Sequence, residues 1–242
     1  MLRLTGVALW LLVCTSPVRA HDPFILDARR ATPGPKLELV ELPSGPGAKG
    51  KQYRLRVGPG VPRGVVFGVF TKPFDHAFHE VASGLQLDAS GHLVAGDPTN
   101  PGGRQLEDMV FGPGPYPLGA VWEIALVSAD RAVRVFARVV PYSITASDGP
   151  CRVSLELSSY LGDQFSAFGT GFPPGEQVVT ELQYSGRQFQ KQRMTSAEGL
   201  LAPELLSHRP VGADRGARYV VRASRCRVSI DYDWGEPALT RR

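Results

Sequence analysis

The chain lacks the short motifs that mark common enzyme chemistries. It has no G-x-S-x-G elbow, no P-loop, no H-E-x-x-H helix and no C-x-x-C pair. His79-Glu80-Val81-Ala82-Ser83 opens like a zinc-protease helix, but Ser83 stands where the second histidine belongs. Asparagine is nearly missing, with Asn100 the only one, while arginine far outnumbers lysine. That bias fits a GC-rich bacterial genome better than a binding code. The formal net charge is only +4 over 242 residues, with no basic cluster, and this argues against nucleic acid as a partner. Beyond residue 20 no segment approaches about 18 unbroken apolar residues, so no transmembrane segment is expected in the mature chain. No stretch carries a capped apolar stripe of 3.6-residue period, and helices are not expected either.

The first twenty residues have the layout of a cleaved secretory signal peptide. Arg3 supplies the positive start, Gly6 to Cys14 is an apolar run, Pro17 breaks it, and Val18-Arg19-Ala20 ends in a small residue. An uncleaved anchor, or lipidation at Cys14, are the alternatives. Cleavage after Ala20 makes His21 the first mature residue and places the protein in the periplasm or outside the cell. It also removes Arg3 and Arg19 and no acid, so the net charge falls from +4 to +2.

Of three cysteines, Cys151 and Cys226 then remain, 75 positions apart. Their spacing suits neither zinc nor a redox motif. In an exported chain they are expected to pair, the alternative being two buried thiols.

Glycine (27) and proline (21) together make up about a fifth of the chain, and between them lie short alternating runs. Gln52–Val57, Arg131–Val139, Cys151–Leu157 and Cys226–Tyr232 each alternate with period two, the pattern of a half-buried strand. An internal repeat accompanies them. Gly58-Pro59-Gly60-Val61-Pro62-Arg63-Gly64 matches Gly169-Thr170-Gly171-Phe172-Pro173-Pro174-Gly175. Ala89-Ser90-Gly91 matches Ala197-Glu198-Gly199, lying 33 positions on in the first half and 30 in the second. Gly119–Ile124 matches Gly216–Val221, after a Gly/Pro-rich insert near Gly96–Pro117 that only the first half carries.

The expected fold class is therefore all-β, with two tandem β-sandwich modules after the signal peptide. The boundaries read as signal peptide 1–20, module one 21–143, a polar linker 144–150, module two 151–234 with its disulfide, and a flexible tail 235–242. Separate cores are expected for the two modules.

The stretch Gly169-Thr170-Gly171-Phe172-Pro173-Pro174-Gly175-Glu176 resembles the opening of bacterial extracellular immunoglobulin-like repeats. In those modules a G-x-G-F-x-P-G-[ED] turn joins two early strands and a later A-x-G turn closes a hairpin. The resemblance implies an immunoglobulin-like fold for each module. Such modules serve as spacers, adhesins, carbohydrate binders or enzyme appendages, and the turn motif does not choose among them.

Two features carry candidate chemistry. An N-terminal histidine chelates copper through its amine and its ring, and a second histidine completes the site. His21 with His76, His79 or His92 therefore resembles the histidine brace of copper-dependent polysaccharide monooxygenases and periplasmic copper carriers, and imidazole suits Cu(II). Asp75-His76-Ala77-Phe78-His79-Glu80 is the densest ligand cluster, yet residues three apart on a strand point to opposite faces. Tyr116 stands in the proline-rich loop Gly112–Pro117, as a packed anchor or as a recognition residue. His208, beside Arg209-Pro210, reads as a loop residue. The favoured expectation is a non-enzymatic interaction or structural protein, with no cofactor and an unknown envelope or extracellular protein or glycan as partner. A copper-binding protein or copper-dependent oxidase is the alternative.

Overall fold

The computed structural model describes residues 26–43, 50–74, 76–96, 104–105, 109–209 and 213–240. The chain is all-β. Among the described residues there is no α-helix, every ladder between strands is antiparallel, and no sheet closes into a barrel. No helix there is long and apolar enough to cross a membrane.

The first half supplies β1 (Leu37–Glu41), β2 (Tyr53–Val57), β3 (Phe67–Lys72), β4 (His79–Leu87), β5 (Leu93–Ala95), β6 (Arg104–Gln105), β7 (Val110–Phe111), β8 (Trp122–Ser128) and β9 (Arg134–Val139). They form two sheets, ordered β1-β2-β7 and β6-β5-β4-β3-β8-β9. The second half supplies β10 (Ile144–Asp148), β11 (Cys151–Leu157), β12 (Gln164–Thr170), β13 (Gln177–Tyr184), β14 (Arg187–Met194), β15 (Leu201–Ser207), β16 (Gly216–Arg222) and β17 (Arg227–Asp233). Its sheets are ordered β10-β11-β12-β15 and β14-β13-β16-β17. Sandwich packing follows from the alternation. Val153, Leu155 and Leu157 of β11 face inward while Arg152 is exposed, and Val228, Ile230 and Tyr232 of β17 do the same. β8 is buried along nearly its whole length, because Leu26, Phe70, Phe78 and Phe136 cover its second face at Ala125 and Val127.

Strand order recurs between the halves. β4-β3-β8-β9 and β14-β13-β16-β17 each set one hairpin beside another in the same order, although β5 extends the first sheet while β15 joins the other sheet of the second half. The two G-x-G-[VF]-P-x-G loops occupy the same step, β2 to β3 and β12 to β13, and the two A-x-G turns join β4 to β5 and β14 to β15. The second loop needs its glycine. Gly171 has φ 74, and a Cβ there would stand 2.0 Å from the Pro150 carbonyl oxygen.

Cys151 and Cys226 form a disulfide. Three expectations change. The segment 144–150, read as a linker, holds β10, which pairs with β11 from Ile144↔Leu155 to Asp148↔Cys151 through a Gly149-Pro150 turn. Ile144 and Ala146 are partly buried at alternate positions, and the Asp148 carboxylate accepts a 2.7 Å bond from the Arg227 amide. The tail is not loose over 235–240 either. The Gly235 amide donates to Gly162 O at 2.7 Å, and Glu236–Leu239 forms a 3-10 turn that buries Ala238. Third, apolar contact does not stop at the module boundary. No ladder joins a strand of the first half to one of the second, but one continuous cluster runs from Tyr53 to Ala238. The halves meet at Gly119, whose amide donates to Tyr142 O at 2.7 Å and whose carbonyl accepts from Leu157 N at 2.9 Å.

Candidate ligand-binding site

Residues singled out in the sequence converge at that junction. The proline-rich loop after β7 places Pro113, Pro115, Tyr116 and Pro117 on one wall of a cavity of about 300 Å³. Its prolines fix φ and leave few backbone conformations. Tyr116 anchors the loop. Its ring is buried and its hydroxyl donates to Val121 O at 3.0 Å. The turn after β3 adds Pro73, Phe74 and His76, and the His76 amide closes that turn on Pro73 O at 3.2 Å. The second half contributes Tyr160, from the loop between β11 and β12, and Leu239 from the final 3-10 turn.

Tyr160 and its neighbour Leu161 are 71% and 57% exposed. Their loop is held firmly. Ser158 N donates to Gln164 O, Gly162 N donates to Ser159 O, and the Ser159 hydroxyl accepts from Leu161 N. Gly162 has φ 72 and lies so close to Gly235 that a Cβ would stand 2.1 Å from its carbonyl oxygen. The chain thus presents an apolar pair on a fixed turn, beside a cavity lined by rings. The Ser158-Ser159-Tyr160-Leu161-Gly162-Asp163 sequence holds the signal for this, an apolar pair inside a polar turn. Its neighbours across the junction lie more than 40 positions away.

Of the candidate metal ligands among the described residues, only His76 lines the cavity. His21 and Asp75 lie outside the described residues. His76 is exposed at the cavity, whereas His79 is exposed at the start of β4, paired with Thr71, and is not among the cavity's lining residues. His92 packs its turn against Asp88, whose carboxylate accepts the His92 amide at 2.8 Å. Among the described residues no three His, Cys, Asp or Glu side chains come together in a way that could hold a metal ion. His208 stands in the loop just after β15, as its sequence suggests, but inside the protein. It is buried among Phe165, Tyr184, Tyr232 and Trp234.

A second buried polar group braces module two. Glu204 on β15 accepts from Tyr219 Oη at 2.8 Å, Lys191 Nζ at 2.9 Å and Arg193 at 3.2 Å. Burial pushes its carboxyl up, but the hydrogen bonds from Lys191 and Tyr219 outweigh that and hold it below the usual range. Burial, with the carboxylate beside it, pushes the Tyr219 hydroxyl far up, so it stays protonated and donates to Glu204. This network ties β14, β15 and β16 together and is structural.

The chain matches no protein-family model, and no curated protein matches its sequence. Its function has to be argued from the site.

Proposed function

We propose that this is an exported, non-enzymatic binding protein of two immunoglobulin-like modules, whose junction cavity grips one apolar ring of a partner polypeptide. The ring belongs to a proline or an aromatic residue. The observation that carries the reading is Tyr160, 71% exposed on a pinned loop at the cavity rim. An aromatic ring held in water beside a concavity walled by proline and aromatic rings is the arrangement of a binding anchor. At about 300 Å³ the cavity is at the small end of ligand sites, and it suits one ring rather than a long ligand. Side chains able to hydrogen-bond are few there: His76, Tyr160 and Tyr116, whose hydroxyl donates to Val121 O. A sugar needs several such partners, and an apolar ring needs none.

Export is supported by the Cys151–Cys226 disulfide together with the layout of residues 1–20. Duplication of one module is supported by the shared strand order and by the matching placement of the repeated turns.

The test is an NMR titration with two probes, a proline-rich decapeptide and a tryptophan-containing decapeptide. At least one should shift the amides of Phe74, His76, Gly114, Tyr116 and Tyr160. Tyr160→Ala should weaken that binding at least about fivefold without moving the melting point, because the ring is exposed. No shift at those positions with either peptide would sink the reading. So would turnover of a defined substrate that one point substitution abolishes.

A further inference from the structure

The outer face of the sheet β14-β13-β16-β17 has the opposite chemistry. Its register puts four polar side chains in one row, with Gln183 opposite Gln188 on β14 and opposite Arg218 on β16, and Arg218 opposite Asp231 on β17. Residues directly opposite in a ladder share a face. The neighbouring residues Tyr184, Ala217 and Tyr232 are buried on the other face. The row lines an open groove of about 640 Å³, completed by the Ser185-Gly186 turn, Arg187, Asp214 and Asp233.

The row is held in place from beneath and from the side. Arg218 Nε donates to Asp231 Oδ1 at 2.6 Å. Two residues back along β13, Glu181 is 1% exposed although it belongs to the outer face. Its carboxylate is bound by Arg222 at 2.7 Å, by Gln190 at 3.2 Å and by the side-chain amide of Gln183. A buried, fully bound carboxylate fixes the Gln183 amide in one orientation, so the groove is organised before any ligand arrives. On the turn, Asp214 Oδ1 accepts from Gly216 N at 2.9 Å, which sets that wall.

The lining excludes several ligand classes. Two guanidinium groups face three carboxylates, and Arg218 is already neutralised by Asp231. A polyanion or polycation therefore finds no strong field to follow. Among the described residues the carboxylates do not converge on a point that could hold a cation. The two tyrosines in the lining are both buried, so an apolar ligand finds little to cover. What the groove does offer is planar groups with paired donors or acceptors: two amides, two guanidinium groups and three carboxylates, all but Asp214 on strands. Such groups bond two neighbouring hydroxyls at once. The volume lies within the range of about 300–1,000 Å³ that ligand sites occupy, and the open shape suits a chain that enters and leaves at both ends.

We infer that this groove binds an uncharged oligosaccharide. The site is separate from the junction cavity, and the inference does not rest on the peptide reading. Cellohexaose, xylohexaose, chitohexaose and the acidic hexagalacturonate serve as probes, each titrated into the isotope-labelled mature protein to about 10 mM and followed by NMR. At least one neutral hexasaccharide should shift the amides of 183–188, 216–218 and 231–233. Arg218→Ala and Gln188→Ala, both at exposed positions, should each weaken that binding at least about threefold with little change in melting point. Three outcomes overturn the inference. No neutral probe shifts those amides at that concentration, or the shifts fall only at the junction cavity, or hexagalacturonate alone binds. The peptide titration reads a different set of amides, so either proposal fails without the other.

Discussion

His208 is held through both ring nitrogens. Nδ1 lies 3.1 Å from Asp163 O, which can only accept, and Nε2 lies 3.0 Å from the Tyr232 hydroxyl, which donates to it. The ring stacks on Trp234 with centroids 5.3 Å apart. This is the neutral imidazole, and burial pushes its pKa below the ordinary value. The sign of the effect on stability follows. Near pH 6.5 an unfolded chain takes up a proton that the folded chain refuses, so stability is present above that pH and lost as pH falls through it. The melting point should drop between about pH 7.5 and about pH 5.5, and His208→Phe should flatten that part of the curve. An unchanged slope in the variant would remove His208 as the cause. The sequence around it, His208-Arg209-Pro210, is that of a turn. Its burial depends on Asp163 and Tyr232, 45 and 24 positions away, which no local pattern reveals. His76 and His79 make the same point from the other side. Clustered in sequence, they are divided by a turn and the start of a strand.

At the scale of elements, the strands that alternate strictly were the readable ones. β2, β9, β11 and β17 lie within a few residues of their expected spans. β10 is hard to read because Thr145, Ser147 and Asp148 look like loop residues, although Ile144 and Ala146 sit at strand spacing and Gly149, with φ 56, opens the two-residue hairpin turn. The final 3-10 turn was missed because its hold is a contact with Gly162, far back in the chain. That contact gives a sharp test. Gly162→Ala should cost more than about 1 kcal/mol in chemical denaturation, since a Cβ at 2.1 Å from Gly235 O forces one of two backbones to move. The same change should weaken peptide binding at the junction cavity, because it re-aims Tyr160. A variant of full stability would mean that the loop and the tail do not hold each other. The junction cavity itself was not legible, since its walls come from four separate segments and only the proline-rich loop and His76 drew notice in the sequence.

At the scale of the molecule, the two halves share apolar contact but no hydrogen-bonded ladder. Cys226→Ser should therefore lower the stability of the second half by about 2–4 kcal/mol. Hydrogen-exchange protection should fall along β11 to β17 and change much less in β2, β3 and β8. Equal loss in both halves would show that the shared contact makes them one cooperative unit. The disulfide has a further consequence when the protein is stretched between its ends. Load entering through β10 reaches Cys151 and leaves at Cys226, just before β17, so it crosses one covalent bond and bypasses the 75-residue span between them. Under oxidising conditions that span cannot lengthen, whatever the tension. After reduction it should add about 250 Å of contour length, at roughly 3.4 Å per residue, in single-molecule pulling. The fold's one covalent cross-link thus makes module two a stiff tether, and leaves the first half as the part that gives way.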